Sequence, residues 1–306
     1  MRWRALVLSL FVAGRGAAEE LPTLAGPAMG TTYRVTLVHD LPGLSRGEVH
    51  REVEAVLARI DRAASTWRDD SDASRFNRAA VGEWVPVSAD LETLVSTALG
   101  IHEQSGGAFD ITVGPLVRLW GGGPRKPGPP TPPPEPPAAE IDAVRSVVGM
   151  RLIELRPATA VAGAAVRKSV GGVEIDLGGI APGHAVDCIG ARLAALGSPA
   201  HLVEVGGEVR AWGEPAAGRR WRVRLRGTDH GRGQPREIEL PAGSAVAAST
   251  CRPGRSPIDP RTGRPAAGPP RTAIVRAGSC ATADGWAVAA VLLGLEPDDD
   301  GTITVP

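Results

Sequence analysis

The chain carries no excess of charge of either sign: its 306 residues include 34 basic and 34 acidic side chains, with no long block of either. That excludes the electrostatic footprint of a nucleic-acid-binding protein and points to a small-molecule or protein substrate. Cysteine is scarce. Cys188, Cys251 and Cys280 are widely spaced, make no Cys-x-x-Cys pair and set up no disulfide framework. In an oxidising compartment one bridge can form, with the pair left open by the sequence, and the default reading of all three is as small buried residues. The six histidines are scattered as well, without the spacing of a zinc site. Beyond the extreme N-terminus no apolar run approaches the roughly 20 residues of a membrane-spanning helix. The P-loop spacing, the Gly-x-Gly-x-x-Gly fingerprint and the Gly-x-Ser-x-Gly elbow are missing, which removes the common nucleotide-binding and serine hydrolase signatures.

Hydrophobic residues make up 42% of the chain, enough for a substantial core. The N-terminus has Arg2 and Arg4, a short apolar run from Ala5 to Ala13, and the small residues Gly16, Ala17 and Ala18. This reads as a signal peptide over residues 1–18, with residues 19–306 as the mature domain. No cysteine follows the apolar run to accept a lipid, so the expected location is soluble and exported, in the periplasm. Residues 121–138 are rich in Gly and Pro and predict an extended surface loop.

Alternation predicts strands over 31–38, 170–176, 201–205, 221–225, 237–240, 273–276 and 303–305. Helical periods run over 47–64, 91–105, 183–196 and 283–293. Strands both alternate with helices and pair as hairpins. The expected class is therefore α+β, with mixed and antiparallel sheets and packed helices.

The segment Ser105 to Gly121 stands out. Gly106-Gly107 permits positive φ or a close backbone approach, and Asp110 lies among Phe109, Ile111 and Val113, where a carboxylate needs a partner. A ligand edge and a cap on the next element are both possible partners. Four further sites join glycine to a hydroxyl or carboxylate: Met29 to Thr32, Asp176 to Gly179, Val205 to Glu208, and Ala283 to Gly285. Such turns expose backbone groups suited to phosphate or metal. Asp284, read as lying at a helix start, suits Mg²⁺ bound together with substrate phosphate, while the plainer reading is a carboxylate favoured by the helix dipole.

Read in order, several blocks resemble the ApbE family of FAD:protein FMN transferases, or flavin transferases. They are Ala28-Met-Gly-Thr-Thr-Tyr33, Ser65 to Asn77, Gly106 to Gly121, Ile175-Asp-Leu-Gly-Gly-Ile-Ala181, Val205-Gly-Gly207, Ile258-Asp-Pro-Arg-Thr-Gly-Arg264 and Ala283-Asp284. The resemblance implies an ApbE-like fold and a periplasmic enzyme that, with Mg²⁺, moves FMN from FAD to a Ser or Thr hydroxyl of an acceptor flavoprotein subunit of an electron-transfer complex, releasing AMP. It implies FAD contacts at Met29, Trp67, Ala108, Phe109, Asp110, Asp176 and Ile258. It implies metal contacts at the Gly179 carbonyl and at Asp284, the latter central to catalysis.

Three positions depart from the family pattern. Pro182 stands where a lysine is usual, Val288 replaces a threonine four residues after the metal aspartate, and Ser256 replaces a histidine two residues before Ile258. These departures keep two other readings in view: a non-catalytic exported FAD-binding or maturation protein, and an enzyme that hydrolyses FAD.

Overall fold

The structure is a computed structural model and describes residues 21–123, 135–225, 236–252 and 256–305. The signal segment over 1–18 and most of the Pro-rich loop lie outside these residues.

In chain order the elements are β1 (Thr23–Ala28), β2 (Thr31–Leu37), α1 (Arg46–Ala64), α2 (Asp72–Arg78), β3 (Val85–Pro86), α3 (Ala89–Gln104), α4 (Gly114–Leu119), α5 (Ala138–Arg145), β4 (Ile153–Arg156) and β5 (Ala165–Lys168). They continue with α6 (Ala181–Ala195), β6 (His201–Val205), β7 (Glu208–Trp212), β8 (Trp221–Leu225), β9 (Arg236–Leu240), β10 (Ala245–Cys251), β11 (Ile258–Asp259), β12 (Arg264–Pro265), β13 (Arg271–Ala277), α7 (Cys280–Leu293) and β14 (Ile303–Thr304).

A seven-stranded sheet in the order β1-β2-β6-β7-β10-β13-β14 forms the centre, antiparallel except for the parallel β13–β14 edge. Each strand of the middle offers alternate residues to opposite faces. Val203 and Val205 of β6 join the main core under the helices, while Leu202 joins a second core with Val209, Trp221, Val223 and Leu240. The β8–β9 hairpin thus covers the sheet face opposite the helices, which is why β6 is buried along its whole length. Helices α6 and α7 pack together, with α1 against α6 and α3 against α7. The α+β class expected from the sequence is the class observed.

Local signals explain most elements. Helix α1 opens with a capping box in which Ser45 and Glu48 satisfy each other's backbone amides, and it buries Val49, Val53, Val56, Leu57 and Ile60 as its period predicts. The β1–β2 hairpin turns on Met29 and Gly30, both at positive φ (47° and 78°), the pattern of a type I′ turn. A non-glycine residue there costs about 1–2 kcal/mol.

Two expectations fail. The strand over 170–176 is absent: β5 ends at Lys168, the chain turns at Gly171-Gly172, and only Glu174 makes an isolated bridge, to Val113. Val173, Ile175 and Leu177 are buried by lying alongside the 111–113 segment, so their alternation reflects burial without a ladder. The default of three buried cysteines fails at one: Cys251 and Cys280 are buried, but Cys188 on α6 is only partly buried.

Candidate active site

Asn77, on the last turn of α2, pairs both amide groups with the backbone of Ile175: Nδ2 donates to its carbonyl (3.0 Å) and Oδ1 accepts from its N–H (2.8 Å). Ile111 accepts from the Asp176 N–H at 2.7 Å, and a side chain on Gly114 would meet the Glu174 carbonyl at 2.8 Å. Three stretches far apart in the chain, 65–77, 106–121 and 174–181, are thereby brought together.

The turn after α3 has positive φ at both Gly106 and Gly107. Ser105 Oγ accepts from the Phe109 N–H (3.1 Å) and His102 Nδ1 donates to the Phe109 carbonyl (2.9 Å). Ala108 and Phe109 are buried. Asp110 uses its carboxylate internally, accepting from the Thr112 N–H (2.7 Å), the Thr112 hydroxyl (2.5 Å) and the Met150 N–H (3.1 Å). Burial pushes its proton affinity up, and the Thr112 hydrogen bonds oppose this. Asp110 does not cap the next helix, since α4 begins at Gly114 after Val113 without a side-chain cap; its carboxylate closes a local turn with Thr112 and ties it to Met150.

The Phe109 ring lies at the meeting point. A Cβ on Gly179 would be 3.5 Å from it, and one on Gly285 would be 3.4 Å from it. Larger residues at either glycine would press on the ring or, at Gly285, on Ile101. The Val288 methyl stands 3.2 Å from the same Gly179 position, so an apolar group lies where the family's usual threonine would bring a hydroxyl.

Asp284 lies in the second turn of α7, whose N-cap is Ser279, so it is not a helix-start carboxylate. Its environment decides its chemistry. It is 6% exposed, Oδ2 accepts from the Gly183 N–H at 3.1 Å, and burial, with the nearby Asp187 charge, moves its pKa up to about 7. Glu208, on β7, is also pushed well up, first by burial and then by the Asp284 charge. Asp187 of α6 accepts from the Cys280 and Ala281 N–H groups and from Arg210, which joins the start of α7 to α6. Sequence reading missed Asp187 because the backbone amides it caps, those of Cys280 and Ala281, lie more than ninety residues away.

The turns of β1–β2 and β6–β7 lie side by side, with the Gly206 N–H donating to the Thr32 carbonyl (3.0 Å), so Met29 shares that rim with Gly206. Ile258, half-buried, begins the small β11–β12 ladder, and Trp120 Nε1 donates to the Gly263 carbonyl (2.8 Å), tying that ladder to the 106–121 segment. Asp176 accepts from the Gly178 N–H (2.8 Å), and burial raises its pKa. Trp67 is 66% exposed, on the loop before α2. Pro182 sits in the first turn of α6, where its missing N–H would have had no helical partner, so the helix is undisturbed. Ser256 donates its hydroxyl to the Arg252 carbonyl at 3.0 Å.

The fold that carries this site is shared with solved flavin transferases. The flavin transferase ApbE of Vibrio cholerae superposes with a TM-score of 0.78 at 32% identity, covering 92% of this chain and 89% of that one. The apo flavinyl transferase ApbE of Pseudomonas stutzeri gives 0.76 at 31% identity, covering 92% and 86%. The chain belongs to the ApbE family, a family of transferase enzymes, whose sequence model matches residues 29–299. The FAD:protein FMN transferase of Vibrio cholerae is 32% identical over 304 residues, covering 95% of this chain and 87% of that protein.

Proposed function

We propose that the chain is a FAD:protein FMN transferase. In this reaction the Ser or Thr hydroxyl oxygen of an acceptor flavoprotein bonds to the phosphorus of the FMN half of FAD, the anhydride P–O bond breaks, AMP leaves and the hydroxyl proton passes to solvent. The observation that carries the reading is the Phe109 ring packed against Gly179 and Gly285, beside the buried Asp284 carboxylate.

Met29, Trp67, Phe109 and Ile258 supply apolar and aromatic surface for a flavin, with Ala108 and Asp176 completing the FAD contacts. Asp110, its oxygens held by Thr112 and Met150, contributes by fixing the 108–110 backbone. Asp284 and the Gly179 carbonyl would hold Mg²⁺. The donor chemistry fits: Asp284 and Glu208 are carboxylates whose ionised forms are disfavoured by burial and by nearby negative charge, that of Asp187 at Asp284 and that of Asp284 at Glu208, a penalty that a hard divalent cation would relieve. When bound, Mg²⁺ polarises phosphoryl oxygens and neutralises charge on departing AMP. Ser256 does not replace the histidine as a base, because a neutral hydroxyl does not take up a proton near neutral pH.

The acceptor is expected to be a subunit of an electron-transfer complex. We place the enzyme in the periplasm as one flavin transferase domain over residues 19–306, after removal of the signal over 1–18. Among the described residues no helix is long and apolar enough to cross a membrane.

The test incubates the purified protein with FAD, Mg²⁺ and an acceptor subunit, following AMP release and covalent flavin fluorescence on a denaturing gel. AMP with labelled acceptor supports transfer. AMP without label replaces it with hydrolysis, and FAD binding with neither product leaves a non-catalytic flavin binder. Asp284→Ala is expected to remove metal-dependent turnover.

A further inference from the structure

His184 and Cys188 are four residues apart on α6 and therefore share one face of the helix. That face meets the N-terminal turn of α3, where Asp90 follows the N-cap Ser88. His184 Nε2 is 3.0 Å from Asp90 Oδ1 and 3.5 Å from Cys188 Sγ, and Cys188 Sγ is 3.9 Å from Asp90 Oδ1. The three candidate ligand atoms lie within 4.8 Å of one another. Asp90 and His184 are buried and Cys188 is half-exposed.

This is not the layout of a cysteine nucleophile with a histidine base. There the acid orients one ring nitrogen while the thiol faces the other; here thiol and carboxylate both converge on Nε2. Convergence on one point is what a metal ion requires. Tetrahedral bonds of about 2.0–2.3 Å set ligand-to-ligand edges of about 3.3–3.6 Å, and the three observed separations bracket those edges. Imidazole and thiolate favour zinc-like ions over Mg²⁺. Arg59 Nε holds the other carboxylate oxygen, Asp90 Oδ2, at 2.7 Å, the outer hydrogen bond that orients a ligating carboxylate. Its Nη2 also reaches Oδ1 at 3.2 Å, and this contact yields to the metal because the arginine is half-exposed.

We propose that Asp90, His184 and Cys188 form a zinc-class metal site, with water from the Cys188 side as fourth ligand, that clamps the start of α3 to α6. Helix α6 also carries Gly183 and Asp187, which hold Asp284 and the start of α7, so the clamp stiffens the scaffold under the candidate active site without belonging to it.

The test uses the folded, reduced, metal-stripped protein titrated with Co²⁺. One equivalent is expected to produce thiolate-to-cobalt charge-transfer absorption with tetrahedral d–d bands, both removed by one equivalent of Zn²⁺. Cys188→Ala removes the charge-transfer band, His184→Gln weakens Co²⁺ binding by at least about tenfold, and Cys251→Ala and Asp284→Ala keep the band. In the unaltered protein Zn²⁺ protects Cys188 from alkylation, mapped by mass spectrometry, a readout independent of any variant's folding. Absence of the charge-transfer band, its survival in Cys188→Ala, or undiminished alkylation of Cys188 under saturating Zn²⁺ overturns the proposal.

Discussion

The Gly183 N–H donates to Asp284 Oδ2 across the contact between α6 and α7, 101 residues apart in sequence. The bond exists because Gly183 has no side chain: a Cβ there would lie 2.4 Å from the Cys280 carbonyl oxygen and 2.9 Å from the Ala281 Cα. Both obstacles are backbone, so neither can swing aside. Gly183→Ala is expected to force the two helices apart and destabilise the protein by about 3 kcal/mol. Urea denaturation reads the loss, and an unchanged midpoint would contradict the tight crossing.

Val288 lies one helical turn beyond Asp284, with its methyl group facing Gly179. Val288→Thr places a hydroxyl there with little change of volume. The apparent Mg²⁺ affinity in AMP release is expected to rise about tenfold. A titration of turnover against Mg²⁺ checks this, and an unmoved curve would mean that the missing oxygen does not limit binding.

The Asn77 side chain satisfies both backbone groups of Ile175. Asn77→Ala leaves them without those partners and is expected to cost about 1–3 kcal/mol. Because Ile175 precedes Asp176 and the Gly178-Gly179 turn, FAD affinity should fall as well. Denaturation and flavin fluorescence titration measure the two effects separately, and loss of stability with full FAD affinity would detach Asn77 from the site.

His201 is fully buried on β6, with Nε2 donating to the Gly190 carbonyl (3.1 Å), Nδ1 3.0 Å from the Ser198 hydroxyl, and its ring stacked on Trp212. Burial lowers its pKa to about 4, against the Gly190 bond. In the unfolded chain the group titrates near 6.5. Its contribution is therefore complete above about pH 6.5 and is lost as the pH falls through about 4, amounting to about 3 kcal/mol over that window. His201→Gln should flatten the pH dependence of stability between 6.5 and 4; parallel curves for the two proteins would show that His201 titrates normally.

Much of the fold was legible because helix and strand periods are local. The apolar residues picked out by the spacing of α1 are buried, as are Leu94, Val95, Ala98 and Ile101 of α3, and β6 spans the predicted residues. The 170–176 stretch misled because alternating burial beside a single neighbouring segment looks the same as a strand in a sheet. β7 and β10 passed unnoticed, since Gly206-Gly207 and the run of small residues Ala245, Ala247 and Ala248 give weak signals of their own. At the site, the sequence pointed to Phe109, Gly179 and Asp284 as separate blocks. It placed Asp284 at a helix start, because the Cys280–Thr282 turn that precedes it lacks an obvious helical period.

By itself the sequence determined where the chain turns, which faces of its long helices are apolar, and which family its ordered blocks resemble, all properties of residues near one another. The tertiary structure alone decided what each polar group meets. Asp110 turns inward to Thr112 and Met150, Asp284 is desolvated beneath Gly183, and Asp90 is carried to His184 and Cys188. Those pairings depend on how α3, α6 and α7 cross, and a crossing is set by side-chain packing across the whole core, which no local period encodes.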